Sequence, residues 1–255
     1  MELTAVLLLG VYAAGYFVLG GADIGLGMLL PYLGRDRAER DLAAAGLWPA
    51  FLANDGWLVA AAGVLICCFP HLAGEAFGGL LIVLVPLLAG WVVRDAGLWW
   101  RRRVPPAGDV LIVAGSWLLA FGWGWAVASL LSEHLDGPAP FAVGAPTAAA
   151  VALLFMTHGV GYAALRLSGR PYQRARMLAG RRAGVNSFAL TSVVMAAMPL
   201  LAGARLPLTE HAAGAESLRL LVPVLAAVLP LLIAAQLWLW RTCGGRAERP
   251  DRTFS

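Results

Sequence analysis

Long apolar runs separated by short polar segments set the architecture of this chain. The runs cover Thr4 to Leu30, Leu47 to Phe69, Phe77 to Leu98, Val110 to Leu131, Thr147 to Leu165, Ala183 to Leu201 and Leu218 to Trp240. Each is close to the ~20 residues that an α-helix needs to cross a hydrocarbon core of roughly 30 Å. In lipid an apolar segment must satisfy its own backbone groups, and a barrel would show alternating strands of about 10 residues instead. The pattern therefore predicts an all-α, polytopic transmembrane bundle of about seven helices. It forms a single transmembrane domain over residues 1–255.

Composition removes the soluble alternative. Hydrophobic residues make up 60% of the chain and charged residues 13%, with a mean hydropathy of +0.75, too apolar for a soluble domain. The first run lacks a basic leader and a small-residue cleavage site, so it reads as a retained helix and not as a signal peptide.

The charged residues fix an orientation. Arg35, Arg37 and Arg40 follow the first run, Arg94, Arg101, Arg102 and Arg103 the third, and Arg166, Arg170, Arg174, Arg176, Arg181 and Arg182 the fifth. The tail adds Arg241, Arg246, Arg249 and Arg252, whereas the intervening loops carry Glu75, Glu133, Asp136, Glu210 and Glu216 against Arg205 and Arg219. Arginine accumulates on the cytoplasmic side of membrane proteins. An odd number of helices, with the N-terminus outside and the C-terminus cytoplasmic, satisfies that alternation. The net charge of +4 then reflects topology, and no nucleic-acid partner is implied. Trp48, Trp99, Trp100, Trp238 and Trp240 fall at run ends, where indoles favour the headgroup region, while Trp117, Trp123 and Trp125 lie deeper as packing residues.

Intramembrane ionisable groups are the candidates for chemistry, since each costs at least about 2.5 kcal/mol to insert. Asp23 lies shortly before the first Arg-rich loop and Asp55 shortly after the return, which places both roughly 12 Å inside the cytoplasmic surface and allows them to face each other. Asn54, Arg94 with Asp95, His158, and Asn186 with Ser187 belong to the same half. A hydrated polar pocket open to the cytoplasm suits proton uptake. Helix packing, with both carboxylates paired to Arg94 or to backbone amides, is the alternative.

Other chemistries are weaker. Gly20, Gly21, Gly25 and Gly27 resemble a dinucleotide loop only superficially, because no strand precedes them. They suit close helix approach, with room for a local irregularity beside Asp23. Cys67, Cys68 and Cys243 contain no C-x-x-C pair, so neither a disulfide framework nor a metal site is expected. His71, His134 and His211 belong in or beside outer loops, which leaves His158 alone at membrane depth, and a bis-His haem site needs two. Met28, Met156, Met195 and Met198 read as packing residues.

Several stretches, taken in order, resemble subunit II of cytochrome bd-type quinol oxidases. They are Gly15-Tyr16-Phe17-Val18, Gly21-Ala22-Asp23-Ile24-Gly25-Leu26-Gly27 running to Pro31, Leu33-Gly34-Arg35-Asp36 with Glu39-Arg40, and Asn54-Asp55-Gly56-Trp57-Leu58. Arg94, Gly115-Ser116 and His158-Gly159-Val160-Gly161-Tyr162 running to Arg166 follow. The resemblance implies a multi-pass protein of the bacterial inner membrane, paired with a subunit I that holds haem b, haem d and the quinol site and reduces dioxygen with cytoplasmic protons. This chain would be the haem-free partner, binding no cofactor alone, contacting lipid and small accessory helices, and helping to deliver protons. Asp23, Asn54, Asp55 and His158 are then the proton-path candidates, with Trp57 and Arg94 supporting them.

Three departures mark a short, divergent member. The family's Trp-Asp pair ahead of the Asn is replaced by Phe51 and Leu52, its acid after Arg94 by Trp99, and its eight or more helices by about seven. Leucine cannot relay a proton, so either Asp55 substitutes or that route is lost. A proton-coupled transporter, suggested by the Gly-rich first run, and a purely structural assembly subunit remain the alternative functions.

Overall fold

The computed structural model describes residues 1–47, 51–133, 135–180 and 185–242, without the side chains of Phe51 and Leu52. Expectations attached to Trp48, to those two side chains, to His134, Arg181 and Arg182, and to Cys243 and the tail arginines beyond it lie outside the described residues.

Every predicted span contains a helix. They are α1 (Glu2–Met28), α4 (Phe51–Cys68), α6 (Leu81–Trp100), α7 (Pro105–Leu131), α8 (Phe141–Arg166), α10 (Val185–Gly203) and α11 (Ala215–Thr242). Between them lie α2 (Leu30–Leu33), α3 (Arg37–Ala45), α5 (Pro70–Gly79) and α9 (Gly169–Ala179), short helices that the hydropathy pattern did not predict. Among the described residues, six helices are long and apolar enough to cross a membrane by themselves. α4 and α5, joined through a 116° bend, are long and apolar enough together and would make a seventh crossing as one broken span. Pro70 opens α5, where a missing N–H costs nothing.

α1 occupies the middle of the bundle, against α4, α8, α10, α7 and α11, while α6 packs on the outer side of α7 and α11 on α4. Among lipid-soluble helices, apolar burial supplies little drive to associate, so close packing and interhelical hydrogen bonds must hold the bundle. Glycine provides the closeness. A Cβ on Gly25 would lie 2.0 Å from the Phe155 carbonyl oxygen, and one on Gly159 would lie 2.2 Å from the Gly25 backbone. α1 and α8 can cross at that depth only without side chains there. The Gly-rich segment thus meets the close-approach expectation, and α1 runs unbroken past Asp23 without using the room it leaves for an irregularity.

The two ends of the bundle are chemically distinct. At one end Arg101 binds Asp41 at 2.7 Å and Asp109 at 2.6 Å, Arg40 binds Asp109 at 3.3 Å, and Arg174 forks onto Glu39 at 2.6 and 3.1 Å. These pairs join the segments after the first, third and fifth spans. At the other end the His71 and His211 rings stack at 5.3 Å, Arg205 approaches Glu133, and the Ala213 amide donates to the Cys68 carbonyl. The loops that alternate in charge along the sequence are therefore segregated in space.

The Leu-Gly-Arg-Asp segment is a helix start. Asp36 caps α3 by accepting from the Glu39 amide at 2.8 Å, and the Glu39 carboxylate reaches back to the Arg35 amide at 2.9 Å. This is a reciprocal cap, shifted one residue outward from the usual box. Arg174 of α9 closes it and also donates to the Leu33 carbonyl.

Candidate functional site

Near its Arg-rich end, the bundle carries a cluster of buried polar groups contributed by α1, α4, α6 and α11. Asp23 is 1% exposed. One carboxylate oxygen accepts the Asn54 carboxamide N–H, which also donates to the Leu19 carbonyl at 3.1 Å. Gln236 of α11 donates in turn to the Asn54 side-chain carbonyl at 3.3 Å. Two oxygens of this chain of groups, Asp23 Oδ1 and Gln236 Oε1, are buried without a hydrogen-bond partner.

Asp55 does not pair with Asp23 directly, because the neighbouring Asn54 takes that position. Asp55 is nevertheless close enough to interact electrostatically with Asp23, and both face the buried Arg94 guanidinium. Arg94 binds Asp95 at 3.2 Å, and Asp95 is the most exposed acid of the group, with 23% of its side chain accessible. A Cβ on Gly115 would fall 2.5 Å from the Arg94 amide, so α7 lies flush against α6 at the point where the guanidinium turns into the bundle.

His158 belongs to a separate contact. Its Nε2 donates to the Val18 carbonyl of α1 at 2.8 Å, its Nδ1 lies 2.8 Å from Thr191 Oγ1 of α10, and its ring stacks on Phe188. The Thr191 hydroxyl also lies 3.0 Å from the Ser187 and Phe188 carbonyls. A neutral imidazole can accept from that hydroxyl. A protonated one can donate to it while the hydroxyl turns to a carbonyl, so both charge states find partners. Because both ring nitrogens are engaged within the protein, His158 has none free for a haem iron.

Trp57 lies outside the polar cluster. Its ring fills the notch at Gly15, where a Cβ would come within 2.1 Å, and meets Tyr12 edge-on at 6.1 Å. It is a packing residue that holds α4 against α1. The sequence reading missed Gln236 as a site residue. The available signal was an amide isolated in an apolar span, which the search for ionisable groups passed over.

Towards the other end the bundle holds a partly open apolar cavity of about 490 Å³, bordered by Leu9, Phe17, Leu65, Leu72 and Val127. Tyr16 forms part of its wall, accepts from the Trp123 indole at 3.2 Å, and also faces Arg94 electrostatically. It stands between the apolar cavity and the polar cluster.

A central helix crossed at glycine, flanked by spans that enclose carboxylates, an arginine and amides, defines a polytopic α-helical membrane protein with an internal ionisable site. The chain belongs to the family described as cytochrome bd terminal oxidase subunit II, whose profile matches residues 1–209. It is 29% identical over 133 residues to the cytochrome bd-I ubiquinol oxidase subunit 2 of Escherichia coli strain K12, covering 52% of this chain and 33% of that protein. It is 27% identical over 199 residues to the cytochrome bd ubiquinol oxidase subunit 2 of Bacillus subtilis strain 168, covering 70% of this chain and 57% of the other. A probable cytochrome oxidase subunit 2 of Haemophilus influenzae is 30% identical over 122 residues, 46% of this chain and 32% of that protein. The matches thus span a third to little more than half the length of these relatives. The family match also runs past Arg166, where the matching motifs end, and leaves α11 outside it.

Proposed function

We propose that this chain is the haem-free second subunit of a cytochrome bd-type quinol oxidase in a bacterial inner membrane. It supports the haem-bearing subunit I and helps deliver cytoplasmic protons for the reduction of dioxygen to water in aerobic respiration. Oxidation of a quinol supplies the electrons, and the relatives' names point to ubiquinol as the class. Haem b and haem d belong to subunit I in this reading, which the full engagement of the His158 ring supports.

The observation that carries the proposal is the buried cluster of Asp23, Asn54, Asp55 and Arg94. A carboxyl group can take up and release a proton, whereas an amide can only orient one. In this reading Asp55 and Asp23 carry the proton, Arg94 offsets their charge in a medium that would otherwise expel it, and Asn54 holds Asp23 in one orientation. Asp95, the most accessible acid, is the point of entry from the cytoplasm. His158, set apart with partners for both charge states, serves as a second proton-accepting position. The route does not need an acid at Leu52, because Asp55 stands one helical turn further along α4.

The test is Asp55→Asn in the assembled complex. Oxygen consumption and proton uptake from the cytoplasmic side should both slow, by about tenfold or more if the carboxyl lies on the main route. Unchanged turnover with unchanged proton uptake removes Asp55 from the mechanism.

A further inference from the structure

Among the polar groups of the cluster, Gln236 alone comes from α11, beyond the residues matched by the family profile. It is 6% exposed in a span that is otherwise largely turned outward. Its Nε2 donates to Asn54 Oδ1 at 3.3 Å. That contact has a directional consequence. A carboxamide has one accepting and one donating end, so an Asn54 whose oxygen is taken by Gln236 must present its N–H to Asp23, as observed. With Gln236 absent, the Leu19 carbonyl alone, which accepts from the same carboxamide at 3.1 Å, opposes a turn of Asn54 that would present its oxygen to the carboxylate. An N–H aimed at a carboxylate stabilises its charge, whereas a carbonyl oxygen aimed at it favours the acid form.

We propose that Gln236 is a positioning residue of the proton site, one that together with the Leu19 carbonyl holds the Asn54 carboxamide with its N–H towards Asp23. The amide chain Gln236 to Asn54 to Asp23 is polarised in one direction. The two oxygens left unpartnered, Asp23 Oδ1 and Gln236 Oε1, flank the orienting amide and accept hydrogen bonds from an incoming hydrated proton. The charged and titratable groups that face Asp23 are Asp55 on α4, Arg94 on α6, and Tyr162 and Arg166 on α8. Among the described residues α7, α10 and α11 contribute none to that set, so the neutral Gln236 acts on Asp23 through geometry and not through charge.

The proposal rests on the proton-uptake reading, and the experiment separates the two. Oxygen consumption by the assembled complex is measured against pH, per complex as counted from its haem absorption, for wild type, Asp23→Asn, Gln236→Met, Asn54→Leu and the Gln236→Met, Asn54→Leu double variant. Methionine keeps the length of glutamine without its N–H. Gln236→Met should displace the pH profile to higher pH by up to about one unit, since Asn54 is then held less firmly in its hydrogen bond to the Asp23 carboxylate. The same substitution on the Asn54→Leu background, where no carboxamide remains to orient, should add no displacement. Gln236→Glu, which can donate only when protonated, should restore the wild-type profile at low pH but not at high pH, and it provides the test should the Met variant fail to assemble. A wild-type profile for Gln236→Met or for Gln236→Glu across the pH range, or an equal displacement with and without Asn54, overturns the positioning role. If Asp23→Asn itself leaves rate and profile unchanged, the proton-uptake reading fails instead.

Discussion

Gly25 and Gly159 meet backbone to backbone where α1 crosses α8, with Gly25 so close to Phe155 that a single methyl group would overlap its carbonyl oxygen. If α1 yields there, Asp23, two residues away on the same helix, moves relative to Asn54. Gly25→Val and Gly159→Val should each abolish accumulation of the assembled protein. Gly74→Ala, at a position where a Cβ meets nothing within 4 Å, should accumulate as wild type. Immunodetection of membrane fractions checks both expectations.

Glu39 ties α3 to α9 at the Arg-rich end. The Arg174 guanidinium and then the Arg35 amide hold its carboxyl down from 4.5 to about 2. A carboxyl held below its unfolded value contributes stability that is fully present above the unfolded pKa and is lost as pH falls towards the folded one. Wild-type protein in detergent should therefore lose this contribution to thermal stability between about pH 4.5 and 2. Glu39→Gln should melt a few degrees lower at neutral pH and show less loss across that acid window. A melting temperature for Glu39→Gln equal to wild type at pH 7 would refute the account.

Among the described residues, Arg94 is the one buried cation beside Asp23, Asp55 and Asp95. Removing one partner from a buried set of charges costs about 3–5 kcal/mol, because the remaining charge is left uncompensated. Arg94→Met should accordingly reduce both the yield and the thermal stability of the complex, and adding Asp55→Asn should recover part of the loss. Yield that is no better in the double variant than in Arg94→Met would show that Asp55 is not what Arg94 compensates.

His158 joins three spans through Val18 and Thr191. Interhelical hydrogen bonds within membranes contribute about 0.6 kcal/mol on average and up to about 1.7. Thr191→Val should cost a similar small amount of stability in detergent unfolding, and His158→Leu, which removes two such bonds, should cost more. If the imidazole also changes charge during turnover, Thr191→Val should slow oxygen consumption beyond its effect on stability, since valine offers no oxygen to a protonated ring.

The segregation of the loops predicts sidedness. In intact cells a membrane-impermeant thiol reagent should label Gly137→Cys from outside and should reach Arg37→Cys only after the membrane is opened. Such labelling requires Cys67 and the other native cysteines to be replaced first, because Cys67 is exposed. The reverse pattern would invert the proposed orientation.

Hydropathy alone determined the all-helical class and that a helix lies in each apolar run, because lipid leaves an apolar segment of about 20 residues no other way to satisfy its backbone. Charge along the chain determined which loops share an end, and the pairs from Arg101, Arg40 and Arg174 meet that expectation. The short helices α2, α3, α5 and α9 were not legible, since their apolar faces are brief and the capping of α3 depends on Glu39 reaching Arg35 and Arg174. Asp23 and Asp55 were legible as costly buried acids at one depth. Rotation about each helix axis was not, and it decides that Asn54 faces Asp23 while Asp55 turns towards Arg94. Gln236 enters the cluster for the same reason: residues 182 apart in sequence become neighbours only when α11 packs on α4, and no local pattern encodes that packing.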